Sequence, residues 1–201
     1  MMRGRALDVS GLPESATGSR TTLWWGVLAL IAIEAMAFGL VIASYFYGRM
    51  TEETWPPMGT PVPPLGIATT NLAVHLLSIV PMALMVRAAR AHATRRVAAW
   101  LTAATLLVVA ALVLRGFEFV AIQAPFDRNF YGSVVWLLLI MHAMHLVASF
   151  GENLLLIGVM VLGEAHEEHF VDAEVNGVYW YFVVASWAAV YAVLYFGPRL
   201  L

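Results

Sequence analysis

The feature that most constrains this chain is a series of five long apolar runs. They cover about residues 22–48, 66–91, 97–122, 131–162 and 177–197. Each run reaches the roughly 20 residues that an α-helix needs to cross about 30 Å of hydrocarbon. Because backbone groups in lipid must bond within their own segment, an isolated run of this kind must be helical. The sequence therefore predicts an all-α polytopic membrane protein, a bundle of five transmembrane helices.

The composition agrees with a membrane protein and excludes several kinds of chemistry. Of 201 residues, 61% are hydrophobic and 12% are charged, whereas soluble domains carry roughly 25% charged residues. Cysteine and lysine are absent, which excludes thiolate catalysis, iron–sulfur clusters and Schiff-base chemistry on this chain. Residues 1–21 are predicted to be a polar segment without a cleaved signal peptide, and residues 22–201 a single five-helix domain.

The distribution of arginine predicts how the helices are oriented. With five spans, seven arginines share the side of the N-terminus and three lie on the other side. Because arginine-rich loops stay in the cytoplasm, we expect a cytoplasmic N-terminus and an external C-terminus. The exclusive use of arginine fits a GC-rich bacterial genome, so the expected location is the bacterial cytoplasmic (inner) membrane. The net charge of −2 gives no sign of a nucleic-acid partner.

Ionisable side chains inside the predicted spans are the candidates for function, because charge in a bilayer is costly. Glu34 is interpreted as an uncharged carboxyl bonded to a neighbouring helix, with proton movement or lipid contact as the alternatives. Arg115 and Glu118 are three residues apart, so they share a helix face and are expected to form an ion pair. The full set is Glu34, His75, Arg115, Glu118, His142, His145 and Glu152.

The motif His142-x-x-His145 places two imidazoles on one helix face, as metal sites in helical bundles also do. Such a site needs further ligands from facing helices, and His75 lies at a depth similar to that of His142. Two interpretations stay open. The favoured one is histidines that hydrogen-bond between helices, and the other is a metal site or a bis-histidine haem formed by His75 and His142.

Residues 163–176 are predicted to form an acidic loop that contains no arginine. Clustered carboxylates and imidazoles exchange protons readily near neutral pH. The favoured interpretation is a solvated loop, and the alternatives are a proton-collecting surface and an adventitious metal site. The residues of the proton-collecting surface would be Glu164, His166, Glu167, Glu168, His169 and Asp172.

The order and spacing of several motifs resemble subunit III of the haem–copper cytochrome c oxidases, over about residues 24–195. The matching motifs are a tryptophan-led first span with central Glu34, Trp55-Pro56-Pro57, Glu118-Phe119, Tyr131-Gly132-Ser133, His142-x-x-His145, and Trp180, Phe182, Val183 and Trp187 in the fifth span. The family's histidine and aspartate in that last span are Tyr181 and Val184 here, and a family glutamine is Arg115. These departures indicate a divergent, short branch.

The resemblance implies an accessory subunit without a redox centre that packs on and stabilises catalytic subunit I and supports proton uptake. Haem and copper are expected in partner subunits I and II, and bound phospholipid is compatible with the family, although a five-helix member is expected to lack the complete lipid cleft of seven-helix members. One alternative is the five-helix subunit-III-like protein of nitric oxide reductases. The other is a self-sufficient membrane haem or metal protein; a transporter is disfavoured because no repeat is visible.

Overall fold

The computed structural model describes residues 22–163 and 165–200, and five long helices account for most of them. The helices are α1 (Thr22–Thr51), α2 (Leu65–Arg90), α3 (Thr94–Ala121), α4 (Phe130–Leu162) and α5 (Glu167–Tyr191). A π-helical stretch, Ala192–Phe196, and a last helical turn, Gly197–Leu200, continue from α5. Five helices are long and apolar enough to cross a membrane, and no strand occurs within the described ranges. The predicted five-helix all-α fold is confirmed.

Helix α5 is the centre of the bundle, and α1 is its least buried member. In the most apolar window of the fifth span 56% of the residues are buried, compared with 6% for α1. Helix α5 packs against α1, α2 and α4, while α2 and α3 form the most extensive helix pair. Helix α1 packs mainly against α4 and α5. Most of the α1 surface therefore faces away from the other four helices.

A small residue sets the distance between α2 and α5. A side chain added at Gly177 would collide with the side chain of Val86 on α2. Small residues let transmembrane helices approach closely. The close approach brings Trp180 of α5 within hydrogen-bonding distance of α2, where its indole N–H donates to the Ser78 hydroxyl over 2.9 Å.

One end of the bundle, which we call the arginine-rich end, carries the turn between α2 and α3. Arg87, Arg90, Arg95 and Arg96 flank this turn. Arg90 pairs with Glu174 of α5 over 2.9 Å, and His92 in the turn lies 3.2 Å from Glu167. One ion pair and one polar contact thus join the α2–α3 turn to the beginning of α5.

The opposite end is held by aromatic packing and by bonds to main-chain oxygen atoms. Trp55, in the proline-rich loop after α1, packs between Tyr45 and Tyr131 with ring centroids 5.1 Å from each. Arg199 donates to the carbonyl oxygen of Pro63 over 2.7 Å. The loop between α1 and α2 is therefore fixed against the bundle at both of its ends.

The prediction of a loop over 163–176 is wrong, because α5 begins at Glu167 rather than near residue 177. The charged residues lower the mean hydropathy of this stretch, but the stretch forms an amphipathic helix. Phe170 and Ala173 lie one turn apart on its buried side. His169 accepts a hydrogen bond from the main-chain N–H of His166 over 3.0 Å, which caps the new helix end. Acidic residues in a first turn also suit the helix dipole. Glu164 and the polar segment 1–21 lie outside the described residues.

Candidate functional site

The first candidate group is a buried set of polar side chains that we call the core network: Asn71, Arg115, Glu118, His142 and Tyr195. They come from α2, α3, α4 and the π-helical stretch, and each is at most 2% exposed. At the centre of the group, Arg115 Nη1 donates to Glu118 Oε2 over 2.7 Å. The two side chains that share a face of α3 are therefore in direct contact inside the bundle.

Glu118 accepts further hydrogen bonds from two other parts of the chain. The Tyr195 hydroxyl donates to Oε1, and Asn71 Nδ2 lies 3.4 Å from Oε2. A buried carboxylate is tolerated only when it is paired and its oxygens are hydrogen-bonded. Because its donors come from α2, α3 and the π-helical stretch, Glu118 ties three segments together.

Both ring nitrogens of His142 are also engaged. Arg115 Nη2 donates to Nδ1 over 3.1 Å, and a guanidinium only donates, so Nδ1 is an acceptor. Nε2 then carries the hydrogen and donates to the carbonyl oxygen of Val183 over 3.1 Å. His142 is therefore a neutral imidazole in one tautomer, and it connects Arg115 of α3 with the main chain of α5.

An aromatic ring completes the surroundings of the buried arginine. The guanidinium carbon of Arg115 lies 3.7 Å from the ring centroid of Trp187. A guanidinium over an indole face is attracted by the ring's negative charge density. The cation is thus balanced by a carboxylate, an imidazole and an aromatic face, all supplied by this chain.

His75 lies beside the core network with contacts of its own. Nδ1 donates to the carbonyl oxygen of Asn71 over 2.8 Å, and the ring is nearly parallel to that of Trp180, with centroids 6.2 Å apart. The ring centroids of His75 and His142 are 5.3 Å apart. Within the described part of the chain, His75 Nε2 has no hydrogen-bond partner.

This arrangement does not fit a bis-histidine haem formed by His75 and His142. Axial histidines approach iron from opposite sides of a flat macrocycle, whereas these two rings pack against each other and against Trp187. Both nitrogens of His142 already have protein partners. Among residues 22–163 and 165–200, no group of three or more His, Asp or Glu is placed to hold a metal ion.

The second candidate group is a contact of α1 with α4 and α5 that we call the α1 clasp: Glu34, His145 and Tyr179. The Tyr179 hydroxyl donates to Glu34 Oε1 over 3.2 Å, and His145 Nε2 lies 3.5 Å from the same oxygen. His145 Nδ1 donates to the carbonyl oxygen of Met141 over 2.6 Å. The motif His142-x-x-His145 thus divides between two groups, because His142 belongs to the core network.

The predicted proton-collecting residues that the structure describes lie at the arginine-rich end, on the first turns of α5 and just before it: His166, Glu167, Glu168, His169 and Asp172. A cleft of about 820 Å³ opens there, and its walls include Glu167, Glu168, Asp172 and His166. His169 and Asp172 line a second cleft, of about 320 Å³, between α1, α4 and α5. Carboxylates and imidazoles are therefore gathered at this end, although as part of a helix.

Sequence reasoning missed several buried polar residues that the structure brings together. Asn71 and Tyr195 complete the core network, and Asn176 Nδ2 donates to Asn153 Oδ1 over 2.8 Å between α5 and α4. The available signal was an amide within an apolar run, and Asn71 is one helical turn before His75. Amides are less costly in a membrane than charges, so a search limited to ionisable groups passes over them.

These features define an integral membrane bundle of five helices whose buried charges are balanced by its own side chains. The family model described as cytochrome c oxidase subunit III matches residues 11–198. The chain belongs to the cytochrome c oxidase subunit III family, which confirms the resemblance read from its motifs. Membership indicates a multi-pass subunit of a haem–copper oxidase complex. No curated protein matches the chain significantly.

Proposed function

We propose that this chain packs on and stabilises the catalytic subunit I of a haem–copper cytochrome c oxidase. The observation that carries the proposal is the family membership, which rests on nearly the whole chain. In this proposal the haems and copper belong to subunits I and II, which reduce O₂ and move protons, and this chain contributes no redox centre. Its contacts are with those subunits and with membrane lipids, including bound phospholipid.

The bonding of the core network supports a structural role. A group that acts on a substrate must be able to reach it, whereas Arg115, Glu118 and His142 are buried and bonded to one another. Hydrogen bonds that join buried side chains of several helices make the packing around them rigid. A rigid bundle with an exposed α1 is suited to bracing a larger partner in the membrane.

The position of the arginines supports an orientation. We place the arginine-rich end at the cytoplasmic side of a bacterial inner membrane, because short loops rich in arginine stay in the cytoplasm. The last turn after α5, which carries Arg199, then lies at the external side. In this orientation the acidic beginning of α5 faces the cytoplasm.

The acidic first turns of α5 support a role in proton uptake. Carboxylates and imidazoles collected on one surface raise the local proton concentration and exchange protons quickly. We expect that replacing Glu167, Glu168 and His169 with glutamine slows proton uptake by the assembled oxidase. The control is the double variant Glu52→Gln with Glu53→Gln at the opposite end, which should leave the rate of proton uptake unchanged. A triple variant that takes up protons as fast as this control would contradict the role.

A second candidate function is a subunit-III-like role beside a nitric oxide reductase. It is favoured by the fifth span, where the residues that replace the family's histidine and aspartate have no charge. Tyr181 is 37% exposed and Val184 is buried in the apolar core, so neither position contributes to the core network. An assembly that does not need the family's histidine and aspartate at these positions can bind this chain as well as an oxidase can.

The test is to purify the affinity-tagged full chain from its own membrane in a mild detergent. Partners are identified by mass spectrometry, and a reduced-minus-oxidised spectrum is recorded; membranes with the untagged chain give the background. We expect subunits I and II together with a haem a signal. Nitric oxide reductase subunits would support the second candidate instead. A chain that purifies alone with stoichiometric haem would contradict both.

A further inference from the structure

Three buried polar side chains meet where α4 packs against α5, and we call them the amide site: Ser149, Asn153 and Asn176. Each of them is at most 1% exposed. Asn176 Nδ2 donates to Asn153 Oδ1 over 2.8 Å, and Ser149 lies one turn before Asn153 on the same face of α4. The fully buried apolar residues Leu146 and Ala173 precede the site by one turn in α4 and in α5. The amide site therefore lies in the apolar interior of the bundle.

The single bond between the two amides uses only part of their hydrogen-bonding capacity. Asn153 Nδ2 and Asn176 Oδ1 have no partner among the described residues. A primary amide offers two N–H donors and a carbonyl oxygen that accepts, so one donor group and one acceptor are left over. Turning both amides over reverses the bond and again leaves one of each, so this count does not depend on which amide atom is N and which is O. Buried polar groups in proteins are nearly always paired with protein or with ordered water.

The hydroxyl of Ser149 differs from other hydroxyls in the helices of this chain. Ser44, Thr102 and Thr105 each donate to the carbonyl oxygen four residues earlier in their own helix. A serine or threonine within a helix can satisfy its hydroxyl in this way without any other partner. Ser149 does not make this bond, and its Oγ has no partner in the described part of the chain. Its hydroxyl is therefore available to a ligand in the amide site.

A water molecule matches the amide site in both chemistry and size. A buried water typically makes about three hydrogen bonds, and the site offers three unpartnered atoms, one from each side chain. Residues one turn apart in a helix have Cβ atoms about 5–6 Å apart. Two hydrogen bonds of about 2.8 Å each, made through one water, span up to about 5.6 Å. A larger ligand is excluded because all three side chains are closed off from solvent.

We propose that Ser149, Asn153 and Asn176 bind a water molecule inside the membrane, and that this water completes the hydrogen bonding between α4 and α5. Asn153 donates to the water, Asn176 accepts from it, and the Ser149 hydroxyl does either. The water enters from the second cleft, whose walls include Glu152 and Val175, the sequence neighbours of Asn153 and Asn176. A bridging water is nearly as favourable in enthalpy as a direct hydrogen bond, so it helps to hold α5 on α4. The site uses this chain alone and is independent of the proposed function.

The first test is radiolytic footprinting of the full chain in lipid nanodiscs. A short X-ray pulse converts water to hydroxyl radicals, which label the side chains beside a bound water even where bulk solvent does not reach, and mass spectrometry locates the label. Leu146 is the reporter because it lies three residues before Ser149. Leu138 is the matched control, since it is equally buried and lies eight residues further from the site in the same helix. We expect several-fold more label on Leu146 than on Leu138, and equal labelling of the two would overturn the proposal.

The second test removes the water's partners and measures the same label on Leu146. Ser149→Ala should lower it several-fold, and the double variant Asn153→Leu with Asn176→Leu should reduce it to background. Ser186→Ala is the control and should leave the label unchanged, because that buried hydroxyl donates to a carbonyl oxygen of its own helix. Ser149→Ala keeps the amide pair, so its result decides the matter if the double variant does not fold. A label that Ser149→Ala leaves unchanged would overturn the site. Neither test uses an oxidase partner, so their failure is distinct from a failure to co-purify with subunits I and II.

Discussion

The core network and the α1 clasp both place a glutamate in the membrane, but they differ in how completely its surroundings are bonded. Glu118 has donors from three segments and is 2% exposed. Glu34 accepts one hydrogen bond, over 3.2 Å, and its side chain is 21% exposed. The first glutamate is held by donors from three segments, whereas the second is held by a single donor. Bonds from several segments mark a group that holds the bundle together, and a single bond marks a local contact.

The largest expected effect comes from removing the cation of the core network. Arg115→Met leaves the Glu118 carboxylate buried without its positive partner, which costs about 3–5 kcal/mol in comparable cases. We expect that loss in the free energy of unfolding, measured by detergent-induced denaturation of the full chain. The double variant Arg115→Met with Glu118→Gln should recover part of it, because the unpaired charge is gone.

The control for this comparison is Arg95→Met, which removes an exposed arginine at the arginine-rich end. Exposed charges contribute about 0–1 kcal/mol, so the control should unfold like the parent chain. If Arg115→Met is as stable as Arg95→Met, the ion pair between Arg115 and Glu118 does not stabilise the bundle.

A smaller effect is expected from Tyr195→Phe, which removes one neutral donor from Glu118. Hydrogen bonds to charged groups are worth about 1.5–3 kcal/mol, and the loss should appear in global unfolding because Tyr195 joins the end of α5 to α3. Tyr47→Phe is the matched control, since that side chain is 68% exposed. If Tyr195→Phe costs the same in a Glu118→Gln background as in the parent, the two side chains are not coupled.

The smallest effect is expected from Tyr179→Phe, which removes the same kind of donor from Glu34. The bond is longer and partly exposed, so the loss should be about 1 kcal/mol or less and confined to α1. Hydrogen–deuterium exchange read by mass spectrometry should speed up in α1 and stay unchanged in α3. Faster exchange throughout the bundle would mean that the clasp and the core network have the same role.

The helical fold was predictable because the thickness of a bilayer fixes the length of an apolar run. The contact between Arg115 and Glu118 was predictable for a similar reason, since a spacing of three defines one face of a helix. The beginning of α5 was not predictable, because Glu167 and Glu168 lower the mean hydropathy of a stretch whose buried side includes Phe170. Mean hydropathy averages over all residues of a stretch, whereas burial at the beginning of α5 depends only on the residues of one helix face.

The partners of the core network could not be predicted from spacing. Tyr195 lies 77 residues from Glu118 in the sequence, and His142 lies 27 residues from Arg115. Such contacts depend on how helices pack, which a helical period does not encode. The α1 clasp was hidden for the same reason, because Tyr179 lies 145 residues from Glu34 in the sequence.

The central position of α5 has a consequence for the synthesis of the chain. It is the last of the five helices to leave the ribosome, and it supplies the Val183 carbonyl to His142 and the Tyr179 hydroxyl to Glu34. The π-helical stretch that continues it supplies the Tyr195 hydroxyl to Glu118. Until it inserts, the earlier helices hold these polar groups in lipid without those bonds, at the cost that unpaired groups carry there. These polar groups therefore gain their last partners only when α5 inserts, and a nascent chain that stops before α5 leaves Glu118, His142 and Glu34 without those bonds.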